Sequence, residues 1–197
     1  MITALGGSLL AAAQEEREAM VGLLMDLARM ESPSDAPESQ APIQGRVARE
    51  LEALGFRVRK IPGVLTGGSI LAIPRDRARG RPVQLMLGHC DTVWAEGTLD
   101  AMPLVREGDR LRGPGVFDMK AGLTQIIVAL RIILKLGLEP AVTPVVLVNS
   151  DEEIGSPESG KHIRRVAKRA VRALIPEPGM IGLLITGLVG MLFRRRR

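Results

Sequence analysis

Two adjacent carboxylates, Glu152 and Glu153, stand just past the apolar run Val145-Val146-Leu147-Val148. An earlier run, 83–88, ends on the step His89-Cys90-Asp91. Between them lies Gly113-Pro114-Gly115-Val116-Phe117-Asp118-Met119-Lys120, and Glu177 follows a short strand-like segment at 172–175. One imidazole and several carboxylates, each close behind an apolar segment, are the parts of a metal-dependent hydrolase site. Alternation sends His89 and Asp91 to the same side, so Asp91 can fix the tautomer of a metal-bound His89 ring. Of two adjacent glutamates, one can bind metal while the other serves as general base toward a water molecule. Taken singly, each motif also has an ordinary reading. His89 and Asp91 can be a loop histidine and a turn-forming aspartate, and Asp151-Glu152-Glu153 an exposed acidic turn.

Two other chemistries are weaker. The Gly113-Pro114-Gly115 run lets backbone approach an ion closely, but it lacks the spacing and the Gly-Lys-Ser/Thr ending of a phosphate loop. Cys90 as a nucleophile would need a base, and its neighbour His89 points to the opposite face of a strand. A small, semi-buried thiol is the simpler reading.

The elements that must position these residues follow from periodicity. A helix is expected over about 9–30, with Met20, Leu23, Leu24 and Leu27 on one face. Ser32-Pro33-Ser34 breaks it. A second helix is expected over about 38–54, capped by Gly55. Strands are expected at about 56–61, 69–73 and 83–88, and a polar hairpin at 103–112. A helix over about 120–136 should bury Leu123, Ile126, Ile127, Leu130, Ile133 and Leu134. A strand at 143–149, a basic helix at about 157–170 and a strand at 172–175 complete the pattern. Strands alternating with helices predict an α/β fold: a mixed, largely parallel sheet with helices on both faces. Ligands of open α/β sheets sit at the carboxyl ends of the strands, where the candidate residues fall.

Composition narrows the function classes. The 197 residues are 46% hydrophobic and only 2% aromatic, so the core is aliphatic and base-stacking nucleic-acid modules are disfavoured. Lys plus Arg is 27 against 22 acids; without the terminal Arg194–Arg197 run the balance is 23 against 22. The net charge of +5 is therefore largely a property of the tail, and no nucleic-acid partner is expected. The single cysteine permits no intrachain disulfide, and the N-terminus lacks a basic leader region. A cytoplasmic location is the expectation.

Together, Gly88-His89-Cys90-Asp91-Thr92-Val93, the Gly113–Gly122 run, Ser150-Asp151-Glu152-Glu153-Ile154-Gly155-Ser156 and Glu177-Pro178 resemble the di-zinc metallopeptidases. That family includes glutamate carboxypeptidase, acetylornithine deacetylase, succinyl-diaminopimelate desuccinylase and aminoacylase. The resemblance runs from about residue 15 to 178. It implies that His89 binds one zinc, that Asp91 orients its ring, and that Asp118 bridges two zincs. It further implies Glu152 as general base, Glu153 as ligand of the second zinc, Glu177 as ligand sharing the first with His89, and a cis peptide at Asp118–Met119. The implied reaction is zinc-dependent hydrolysis of an amide or peptide bond next to a free carboxylate, with cobalt a competent substitute. The implied substrate is a small peptide or N-acyl amino acid.

The family pattern stops at Pro178 and a divergent apolar, Arg-rich tail, 179–197, follows. Residues 1–178 are thus read as the N-terminal part of the catalytic domain, without its lid. The resemblance would place dimer contacts and a last zinc-binding histidine in the missing portion, so dimer contacts are expected to be lost. His162 reads as a surface residue of the basic helix. The first zinc would retain His89, Asp118 and Glu177, the second only Asp118 and Glu153, so one well-liganded site is expected. The abrupt change suggests a truncated or frame-shifted chain with impaired activity. The apolar run 180–193, at 14 residues, is short of the roughly 20 that span a bilayer. Its Arg run could still contact anionic headgroups. The competing expectation is a non-catalytic remnant, membrane-associated through this tail.

Overall fold

The computed structural model describes residues 2–176, so Glu177 and the whole of the 179–197 tail lie outside the described residues. The chain begins with two helices, α1 (Ile2–Glu15) and α2 (Arg17–Ala28). The sequence pattern suggested one helix starting near residue 9. Helical hydrogen bonds run across the joint at Glu16, from the Glu16 N–H to Ala12 O and from the Met20 N–H to Glu16 O. The Glu16 carboxylate is drawn toward Arg131 and Lys135. Helix α3 (Ala41–Ala53) follows, entered through a short tight turn at Pro37–Gln40.

Next come β1 (Phe56–Ile61), β2 (Ser69–Pro74) and β3 (Val83–His89). A one-turn helix, α4 (Thr98–Ala101), precedes a polar hairpin of β4 (Val105–Glu107) and β5 (Arg110–Arg112), as its sequence suggested. The long helix α5 (Ala121–Lys135), β6 (Thr143–Asn149), α6 (Gly160–Ala167) and β7 (Ala170–Leu174) complete the described chain.

The main sheet has the order β1-β2-β6-β3-β7. Strands β1 and β2 pair antiparallel, as do β2 and β6, while β6–β3 and β3–β7 are parallel. The fold is therefore mixed α/β, with helices on both faces. Beneath one face, α2, α3 and α5 bury Leu23, Leu27, Ile43, Leu51, Ile126 and Ile127 against Ile70, Met86 and Val146. Over the other, Ile163 and Val166 of α6 pack on Leu71, Leu85 and Leu147. Strand β6 is buried along its whole length, which its unbroken apolar run required.

Two expectations are corrected by the packing. Leu134 is 60% exposed; it sits at the end of α5 and borders an open cleft with Leu54, Phe56 and Pro140. The buried surface of α5 instead widens around Val128 and Ile132, which Leu9 and Ala12 of α1 cover. The basic helix starts late, at Gly160, because the Asp151 carboxylate takes the backbone N–H groups of Glu158 and Ser159, each at 2.9 Å.

Candidate metal centre

Parallel pairing sets His89 of β3 beside Asn149 of β6, and the Cys90 N–H donates to Asn149 O at 2.8 Å. Segments 89–91 and 150–153 therefore leave the sheet at the same end. Between β3 and α5 the chain makes a tight irregular turn at Val116–Lys120 that carries Asp118 to that end. Gly115 enters this turn at φ +65°, and a Cβ there would lie 2.7 Å from Thr92 Cγ2, so both conformation and space call for glycine. The Asp118–Met119 peptide is cis, as the resemblance implied.

Candidate ligand atoms of His89, Asp118 and Glu153 all lie within 4.8 Å of one another. His89 is buried, with Nε2 3.1 Å from Asp118 Oδ1 and 3.8 Å from Glu152 Oε2. Its other nitrogen, Nδ1, faces the Asp91 carbonyl oxygen at 3.1 Å and Asp91 Oδ1 at 3.4 Å. A proton on Nδ1 satisfies both oxygens and turns Nε2 toward the carboxylates, where it donates to Asp118 while the ring is charged and offers its lone pair to a cation once the ring is neutral. Burial pulls the imidazole pKa down, but the hydrogen bond and charge of Asp91, the charge of Glu152 and the hydrogen bond to Asp118 more than offset it. The result is a value of about 9.

Asp91 is fully buried and is held from three sides. Its carboxylate accepts from the Ser34 hydroxyl at 2.8 Å and from the backbone N–H groups of Glu152 and Glu153, each at 3.2 Å. The same group thus orients the imidazole and pins the acidic turn. Glu152 is half exposed. Burial raises the pKa of Glu153; the charge of His89 opposes this, while Asp118, Asp91 and Glu152 add to it. Among the described residues no Arg or Lys is ion-paired with Asp91, Asp118, Glu152 or Glu153. Crowded carboxylates around one imidazole, with no basic side chain paired to them, fit a divalent cation in donor type and number.

The remaining candidates fall away from this cluster or outside the description. Glu177 lies outside the described residues. His162 is on α6, beside Glu158 and Lys161. Cys90 is fully buried, which together with the Asp91 charge pushes its thiol up to about 12. Lys120 is buried and donates to Met30 O at 2.8 Å; burial holds it down at about 8.

Three supporting residues were given no supporting role from the sequence. Ser34 reaches Asp91 from the loop after α2. Gln40 Nε2 donates to Pro33 O and Ser150 O, tying that loop to the end of β6. Met119 Sδ accepts the His89 N–H at 3.2 Å.

This fold and this donor set define an α/β protein with a candidate divalent-metal site at the carboxyl ends of its parallel strands. The chain belongs to peptidase family M20/M25/M40, whose profile matches residues 85–186. It is 34% identical to carboxypeptidase G2 of Pseudomonas sp. (strain RS-16) over 173 residues, covering 87% of this chain and 41% of that protein. It is 33% identical to a succinyl-diaminopimelate desuccinylase of Xylella fastidiosa (strain 9a5c), over 69% of this chain and 35% of that one. The chain thus spans about two fifths or less of the length of these relatives. The fold matches human carnosine dipeptidase 1 with a TM-score of 0.74 at 19% identity, over 87% of this chain and 41% of that structure.

Proposed function

We propose that this chain supplies the metal-binding and proton-transfer groups of a hydrolase acting on an amide or peptide bond next to a free carboxylate. The observation that carries the reading is the convergence of His89, Asp118 and Glu153 within 4.8 Å, with Glu152 alongside. His89, Asp118 and Glu153 would hold the ion; zinc is the expected metal and cobalt its substitute. A divalent ion there supplies Lewis-acid polarisation of the scissile carbonyl and acidifies a nearby water molecule.

Each protein group has a defined part. Asp91 keeps the proton on His89 Nδ1 and presents Nε2 to the cation. Glu152, which meets no Arg or Lys among the described residues, takes a proton from the attacking water. It then returns that proton to the departing amine. Glu153 and Asp118 stay charged and hold the cation through both transfers. The carboxypeptidase and desuccinylase relatives support a small peptide or N-acyl amino acid as the substrate class.

The test is hydrolysis of N-acyl amino acids by the zinc- or cobalt-loaded chain, beside Glu152→Gln. The variant should keep its metal and lose about 100- to 10,000-fold in rate. Hydrolysis unchanged in Glu152→Gln would overturn this assignment. If the metal-loaded chain hydrolyses nothing, these 197 residues are a non-catalytic form of the family.

A further inference from the structure

The second face of the sheet is only partly covered. Five strands about 4.8 Å apart span roughly 19 Å, whereas a helix is about 10 Å wide. Helix α6, eight residues long, is what lies on this face among the described residues. Beside it runs a cleft of about 640 Å3 on the side away from the metal cluster. Its floor is aliphatic: Leu71, Ile73, Val83, Val145 and Val166. Its rim is Arg57, Arg59, Arg77, Arg165 and Arg169.

The arginines are placed by regular geometry. Arg57 and Arg59 alternate on edge strand β1, opposite Ile73 and Leu71 of β2. Arg165 lies in the last turn of α6 and Arg169 two residues past its end, in the turn before β7. None of the five is ion-paired with a carboxylate among the described residues. Five unneutralised guanidiniums around an apolar trough repel one another and call for an acidic occupant with an apolar face.

We propose that this cleft docks an acidic amphipathic helix from outside these 197 residues. The apolar stripe would lie on the aliphatic floor, and flanking carboxylates would meet the two arginine rows. Charge disfavours the nearer alternatives. Residues 177–197 carry four arginines against the single Glu177, and a second copy of the chain has a net charge of +5. The lining holds no aromatic side chain on which a nucleic-acid base could stack.

The test uses the full 197-residue chain and a fluorescein-labelled 16-residue peptide with leucines at helical spacing and flanking glutamates. Fluorescence anisotropy should show saturable binding that weakens with added salt. A scrambled peptide of the same composition, a lysine-for-glutamate peptide, and the pairs Arg165→Glu/Arg169→Glu and Arg57→Glu/Arg59→Glu should each weaken it about tenfold or more. All four arginines are exposed, and an unchanged thermal midpoint confirms that each variant is folded. The proposal is overturned if the scrambled peptide binds equally well, or if a folded arginine pair variant binds as tightly as the parent. It also fails if oligo(U) RNA or pyrophosphate displaces the peptide at lower concentration than unlabelled peptide does, or if no peptide binds.

Discussion

Asp91 serves two segments with one carboxylate: it holds the His89 ring and fixes the backbone of Glu152 and Glu153. Replacing it loosens a metal ligand and the acidic turn together. Asp91→Ala should therefore weaken cobalt affinity by about 10- to 100-fold, read by titrating the cobalt absorption bands. Ser34→Ala removes one of the hydrogen bonds to Asp91 and should weaken affinity less. His89 adds a proton linkage. Its value in the metal-free protein is about 9, so below that pH the ring is charged. A cation needs the neutral ring, so affinity should rise with pH up to about 9, and binding at neutral pH should release about one proton. Calorimetry in buffers of differing ionisation enthalpy measures that proton; none released would mean His89 is not a ligand. At this scale the sequence was informative where a motif is local. His89 and Asp91 are two residues apart, and Glu152 and Glu153 are adjacent. Ser34 and Gln40 were invisible because they meet Asp91 and Ser150 across 57 and 110 residues.

The elements that carry the site are held together at α5. Gly122, on its first turn, approaches the Pro176 carbonyl so closely that a Cβ would lie 2.3 Å away, and 2.7 Å from Met119 Cε. Alanine normally stabilises a helix by about 1 kcal/mol relative to glycine. Here the overlap reverses the sign, and Gly122→Ala should destabilise by about 1–3 kcal/mol in a urea melt. A stabilised variant would mean that the chain at Pro176 yields easily. The strands and the apolar face of α5 were legible because periodicity records burial directly. The start of α6 was not, because Asp151 overrides local preference by taking two backbone N–H groups. The extent of α1 was equally hidden: its role depends on Val128 and Ile132, an α5 surface that only the assembled helices reveal.

In the whole molecule, acid should act through carboxylates that folding favours as anions. Glu16 is held below its usual range mainly by the Lys135 hydrogen bond. Glu50 and Asp151 are lowered despite burial, the largest influence on each: Glu50 by Arg46 and Arg131, Asp151 by hydrogen bonds from Ser159, Asn149 and the Glu158 N–H. Their contribution is complete above the unfolded-state values near 4 and is lost as pH falls through the folded ones, so the urea midpoint should drop steeply below about pH 4. A midpoint flat down to pH 3 would contradict this linkage. The sheet order has a separate, kinetic consequence. Strand β6 lies between β2 and β3, yet both of those leave the ribosome first. The pairing of Ser69 with Asn149 closes a separation of 80 residues, so the sheet cannot assemble until its last buried strand has been made. Until then the apolar edges of β2 and β3 stay open, and non-local pairing of this kind is slow. A nascent chain stalled after residue 140 should thus recruit hold-type chaperones and remain protease-sensitive, whereas one stalled with residues 1–176 fully emerged should release them.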